Sequence, residues 1–98
     1  MPKIKSTMVI YVNPLNQRII WEDMRKGYEG HSCLDKLNTE LRYLKTEYIH
    51  KGTVEEMYEY AVENTRFKES QWIRIETERS FRMEDVWKQA MKSLRQSI

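Results

Sequence analysis

Residues 4–12 alternate between apolar and polar positions, with Ile4, Met8, Ile10 and Val12 on one side. That two-residue period predicts a β-strand. Asn13-Pro14-Leu15-Asn16 follows as a turn, because proline presets φ at the second position and Asn16 tolerates the left-handed conformation. Gln17 to Trp21 reads as a second strand, joined to the first as a hairpin. Val9, Tyr11 and Ile20 put apolar groups on the second face as well. Either helices cover both faces of this hairpin, or one face meets a partner.

Beyond a loop holding Gly27 and Gly30, the pattern changes. Ser32 and Asp35 are spaced as a helix cap, and Cys33, Leu37, Leu41, Leu44 and Tyr48 fall at helical intervals with Leu34 beside them. Gly52 ends this expected helix or the turn after it. Thr53 with Glu56 is a cleaner capping box, and Val54, Met57, Tyr58, Ala61 and Val62 trace the stripe of a second helix. Residues 66–70 are polar. Gln71 to Thr77, with Trp72-Ile73-Arg74-Ile75 inside it, predicts a third strand. From about Ser80, Met83, Val86, Trp87, Ala90, Met91 and Leu94 share one face of a last helix. The expected fold is α+β: a hairpin and a third strand in a small antiparallel sheet, packed with about three helices in the order β-β-α-α-β-α.

The chain has 98 residues and shows no repeat, low-complexity tract or linker, so one domain over residues 1–98 is expected. No apolar run approaches the roughly 20 residues of a spanning helix. Met1-Pro2-Lys3-Ile4-Lys5 leads directly into strand-like alternation, so neither a membrane anchor nor a secretory leader is expected. A single cysteine rules out an internal disulfide and suits a reducing compartment, here the cytoplasm.

Cys33 carries the sharpest chemical question. At the first turn of a helix and near His31, its thiol pKa would fall, and Cys33 could serve as a nucleophile or redox sensor. The competing reading makes it a small core residue on the stripe of Leu37, Leu41 and Leu44. Strand, turn, strand and then Gly27-x-x-Gly30-x-x-Cys33, continuing as Leu34 and Asp35, resembles a family of short bacterial proteins of unknown function, over the first half of the chain. The resemblance implies a hairpin followed by a helix and brings no activity with it. His31, Cys33 and His50 are too few for a structural zinc site. The carboxylate pairs Glu22-Asp23, Glu55-Glu56 and Glu84-Asp85 point in divergent directions, and the last two suit helix N-termini. Neither an enzyme nor a cofactor is expected, and no catalytic or metal residue is assigned.

Net charge is only +2, but its distribution is uneven. Residues 1–21 carry Lys3, Lys5 and Arg18 without an acid; residues 53–65 carry Glu55, Glu56, Glu59 and Glu63 without a base. Lys88, Lys92 and Arg95 share a face of the last helix, with Arg79 and Arg82 leading into it. Three tryptophans and six tyrosines supply interface anchors. The expectation is a small non-enzymatic interaction module that binds and modulates a larger protein, for instance as a phage-type inhibitor of a host machine. Its partner surface would use Tyr11, Arg18, Ile20, Glu55, Glu59 and Glu63. One alternative is nucleic-acid binding through Arg79, Arg82, Lys88, Lys92 and Arg95, with Tyr11 and Trp72 as stacking surfaces if exposed. A Cys33-dependent redox or transfer activity is a further alternative, and a homodimer is compatible with either binding reading.

Overall fold

The alternation from Thr7 onward and the strand pattern after Pro14 become a hairpin, as expected. The structure, a computed structural model, describes residues 7–96. Strand β1 is Thr7–Asn13 and β2 is Arg18–Glu22, paired antiparallel with Tyr11 opposite Ile20 and Val12 opposite Ile19. The portion of the first strand expected over residues 4–6, like Lys3 and Lys5, lies outside the described residues. The Asn13 side chain holds the turn by accepting from the Asn16 backbone N–H at 3.2 Å. The left-handed residue is Gln17 (φ 55°), one position later than the turn pattern suggested.

The largest departure from expectation covers residues 31–51. They form no helix. They form strand β3, His31–Leu37, and strand β4, Tyr43–Lys51, paired antiparallel, with β3 also paired to β2. The Asn38 side chain folds the turn between them, accepting from the N–H groups of Glu40 (2.9 Å) and Arg42 (3.0 Å). Leu41, counted as a helical stripe position, sits in that turn with φ 63°. Tyr43, Thr46, Tyr48 and Ile49 are β-favouring residues, and the partner strand β2 outweighs a weak helical period. Ser32 therefore caps no helix; its hydroxyl donates to the Gly52 carbonyl at 2.9 Å.

The remaining elements follow their patterns. Helix α1 is Val54–Asn64, opened by the Thr53–Glu56 capping box. A short 3-10 turn at Glu69–Gln71 precedes strand β5, Ile73–Glu78, which pairs antiparallel with β1. Helix α2 is Met83–Gln96. The order is thus β-β-β-β-α-β-α, with two α-helices rather than about three, on a five-stranded antiparallel sheet ordered β4-β3-β2-β1-β5.

Successive strand residues point to opposite faces, and each face has its own core. Tyr11, Ile20 and Leu34 pack with Val54, Met57 and Ala61 of α1, and with Phe67 and Trp72. Ile10, Val12, Ile19, Leu37 and Ile75 pack with Val86 and Ala90 of α2. Two-sided apolar character in the hairpin is thus satisfied by a helix on each face. Arg18 completes the α1 side from within: only 5% exposed, it donates to both Glu47 carboxylate oxygens, and its guanidinium lies 5.3 Å from the Phe67 ring centre. Among the described residues no helix is long and apolar enough to cross a membrane.

Candidate functional site

The two helices do not cover the sheet equally. Helix α1 packs on β1, β2, β3 and β4, whereas α2 sits chiefly over β1 and β5. On the α2 face, the part of the sheet built by β2, β3 and β4 opens into a cleft of about 720 Å³. Met8, Trp21, Phe81 and Met83 line it beside α2, Tyr43 lines it from β4, and Met24 projects from the loop after β2. Met24 and Tyr43 are among the most exposed large apolar side chains, at 74% and 55%.

The cleft floor is polar and deeply buried. Asp35, 3% exposed, lies on β3 between Cys33 and Leu37, where alternation demands an inward-facing side chain. Its Oδ2 accepts from the Trp21 indole N–H at 2.5 Å and from the Cys33 thiol at 3.6 Å. Its Oδ1 is buried and has no hydrogen-bond partner among the described residues. Charges at the rim are paired. Asp23 accepts from the Arg25 backbone N–H, Nε and Nη2 at 3.0, 3.0 and 2.8 Å, and Arg79 meets Glu22 at 3.0 Å. The Arg25 hydrogen bonds hold the Asp23 carboxyl below its ordinary range despite burial. Gly27 (φ 89°) and Gly30 (φ 77°) supply the left-handed angles that return this loop to β3.

Cys33 sits in a setting opposite to the one a reactive thiol needs. It lies within a strand, without a helix N-terminus. Burial pushes its thiol well above the ordinary value, and the Asp35 and Asp23 carboxylates push the same way. That setting favours the protonated thiol, which is placed to donate to Asp35 Oδ2. Among the described residues, no three His, Cys, Asp or Glu side chains converge as a metal site.

The other residues singled out from the sequence fall in three places. Tyr11 (7% exposed), Ile20 (0%) and Arg18 are interior, covered on the α1 side, so they offer no surface to a partner on this chain. Glu55, Glu59 and Glu63 are exposed on α1, with Glu55 3.6 Å from Arg74 of β5. Lys88, Lys92 and Arg95 are exposed on α2, on the opposite side of the sheet, so the acidic and basic ridges face away from each other. Arg79 belongs to the cleft rim, and the Arg82 carbonyl accepts from the Asp85 and Val86 N–H groups of α2. Trp72 is 6% exposed and sits edge-on against Tyr58 and Phe67 in the core, so it offers no stacking surface to a base. Trp21, Asp35 and Tyr43 were not picked out from the sequence as site residues. A signal was present: once 31–37 is read as a strand, Asp35 is a charge on its inward face.

Compared with known proteins, the chain matches no family model, no curated protein and no solved structure.

Proposed function

We propose that this chain is a small, cytoplasmic, non-enzymatic module that binds and modulates a larger protein, and that the cleft beside α2 is where the partner docks. The observation that supports this is the incomplete cover of one sheet face. On the α2 face the core is left open beside the helix, and that opening is lined by Trp21, Tyr43, Phe81 and three methionines. Aromatic side chains in a desolvated pocket anchor protein interfaces, and methionine adapts to an incoming surface. Inhibition of a larger machine is one form such modulation takes.

The test is affinity capture with the wild-type chain, a Met24→Ser/Tyr43→Ser variant and a Glu59→Lys variant, each checked for folding by circular dichroism. Docking in the cleft predicts one protein retained by wild type and by Glu59→Lys, insensitive to nuclease, and lost with the cleft variant. Undiminished retention by the cleft variant overturns the assignment.

A second reading has its own observation. Lys88, Lys92 and Arg95 share a face of α2, and none makes an ion pair among the described residues. Such a face can neutralise phosphates, and binding through it would weaken steeply with salt. Salt-independent association, or none at low salt, removes this reading.

A further inference from the structure

The cleft ends on a carboxylate that its own fold leaves half used. Asp35 Oδ2 takes two donors, Trp21 Nε1–H and Cys33 Sγ–H, while Oδ1 takes none among the described residues. Burying an acceptor without a partner is costly, and in native proteins each such atom calls for an explanation. The neighbouring charges supply no partner. Arg25 is held on Asp23 through three hydrogen bonds, and Arg79 is held on Glu22. With these pairs neutralised, Asp35 is the one carboxylate lining the cleft without a cation beside it among the described residues.

Resting on the reading of the cleft as a protein-docking site, we propose that its occupant is a lysine side chain of the partner, with the ε-ammonium on Asp35 Oδ1. Charge sets the sign: a net negative floor selects a cation. The single free oxygen sets the type. A guanidinium seeks two parallel acceptors, and Oδ2 is already engaged, whereas an ammonium acts as a point donor. Walls fit the rest of the side chain. Met8, Phe81 and Met83 offer apolar surface to a four-carbon stem, and the aromatic side chains of Trp21 and Tyr43 extend that wall.

The experiment titrates wild-type protein with Nα-acetyl-lysine methylamide, its Nε-acetylated form, and the norleucine and arginine analogues. The readout is the Trp21 indole N–H resonance, assigned through Trp21→Phe; this proton bonds the same carboxylate, so it reports directly on the seat. Expected is a saturable shift with the lysine compound, weakened about tenfold or more with both neutral analogues, as for an unmade charged hydrogen bond. A Trp21 resonance that does not move, one that responds equally to norleucine, or a preference for arginine overturns the proposal. All four compounds are compared on wild-type protein, and Trp21→Phe serves only to assign the resonance, so a folding defect cannot obscure the comparison. Capture then separates this proposal from the docking reading beneath it. A partner lost with Met24→Ser/Tyr43→Ser but fully retained by folded Asp35→Asn leaves the cleft in place and removes the lysine.

Discussion

Trp21 and Asp35, fourteen residues apart on neighbouring strands, are joined by an indole N–H to carboxylate hydrogen bond of 2.5 Å beneath the open cleft. The bond fixes a buried charge on a face that is otherwise apolar. The Trp21 ring also lies beside Phe81, 6.3 Å away between ring centres and tilted by 47°. Replacing Trp21 by Phe keeps most of the apolar surface and removes the donor. Asp35 would then retain only the weaker thiol donor, and the expected loss is about 1–3 kcal/mol in urea unfolding. A double-mutant cycle with Asp35→Asn should show coupling; additive effects would mean that the bond contributes little.

Arg18, buried, and Glu47, partly exposed, form a second polar pair, with side-chain exposures of 6% and 18%. Removing one partner strands the other, so Glu47→Gln should destabilise by about 3 kcal/mol. The double change Arg18→Met/Glu47→Leu should recover most of that loss. A double variant as unstable as the single one would show that the pair itself, and not the orphaned charge, supplies the stability.

Leu41 discriminates between a helix and a hairpin over residues 31–51 by the sign of one substitution. In a helix interior, glycine costs about 1 kcal/mol relative to a good helix former. At φ 63°, glycine instead relieves a conformation that leucine disfavours. Leu41→Gly should therefore leave stability unchanged or raise it by up to about 1 kcal/mol. A clear loss would count against the turn.

Much of this fold was legible because it rests on local signals. Pro14 and the alternation around it mark the first hairpin, Thr53 and Glu56 mark the start of α1, and the stripe from Met83 to Leu94 marks α2. Strands β3 and β4 were hidden because Cys33, Leu37, Leu41 and Leu44 also fit a helical period, while Asp35 interrupts the inward face of the strand. What makes Asp35 acceptable there is Trp21, a partner supplied by another strand, and no local pattern carries that information. Tyr11, Arg18 and Ile20 were candidates for a partner surface for the same reason: apolar groups on both hairpin faces fit a covering helix and an external partner equally well. The cleft exists only because α2 stops short of β3 and β4, a fact of packing rather than of pattern.

Alkaline pH should expose the state of Cys33. The folded chain favours the protonated thiol, while the unfolded chain releases its proton near the ordinary value of 9.0. Stability is therefore whole below about pH 9 and falls as pH rises beyond it, by up to about 1.4 kcal/mol per pH unit for one proton. Tyr11 and Tyr58, whose values burial also raises, add to the loss from about pH 10. Cys33→Ala should flatten the early part of this decline. Identical pH profiles for wild type and variant would contradict the buried, protonated thiol.

The most direct measurement places a photo-crosslinking amino acid at Met24, on the rim of the cleft, and separately at Glu63, on the outer face of α1. Each variant is irradiated in cells. Docking through the cleft predicts one discrete adduct from position 24 and none from position 63. An adduct from position 63 with position 24 silent would contradict it and move the partner to the acidic ridge of α1.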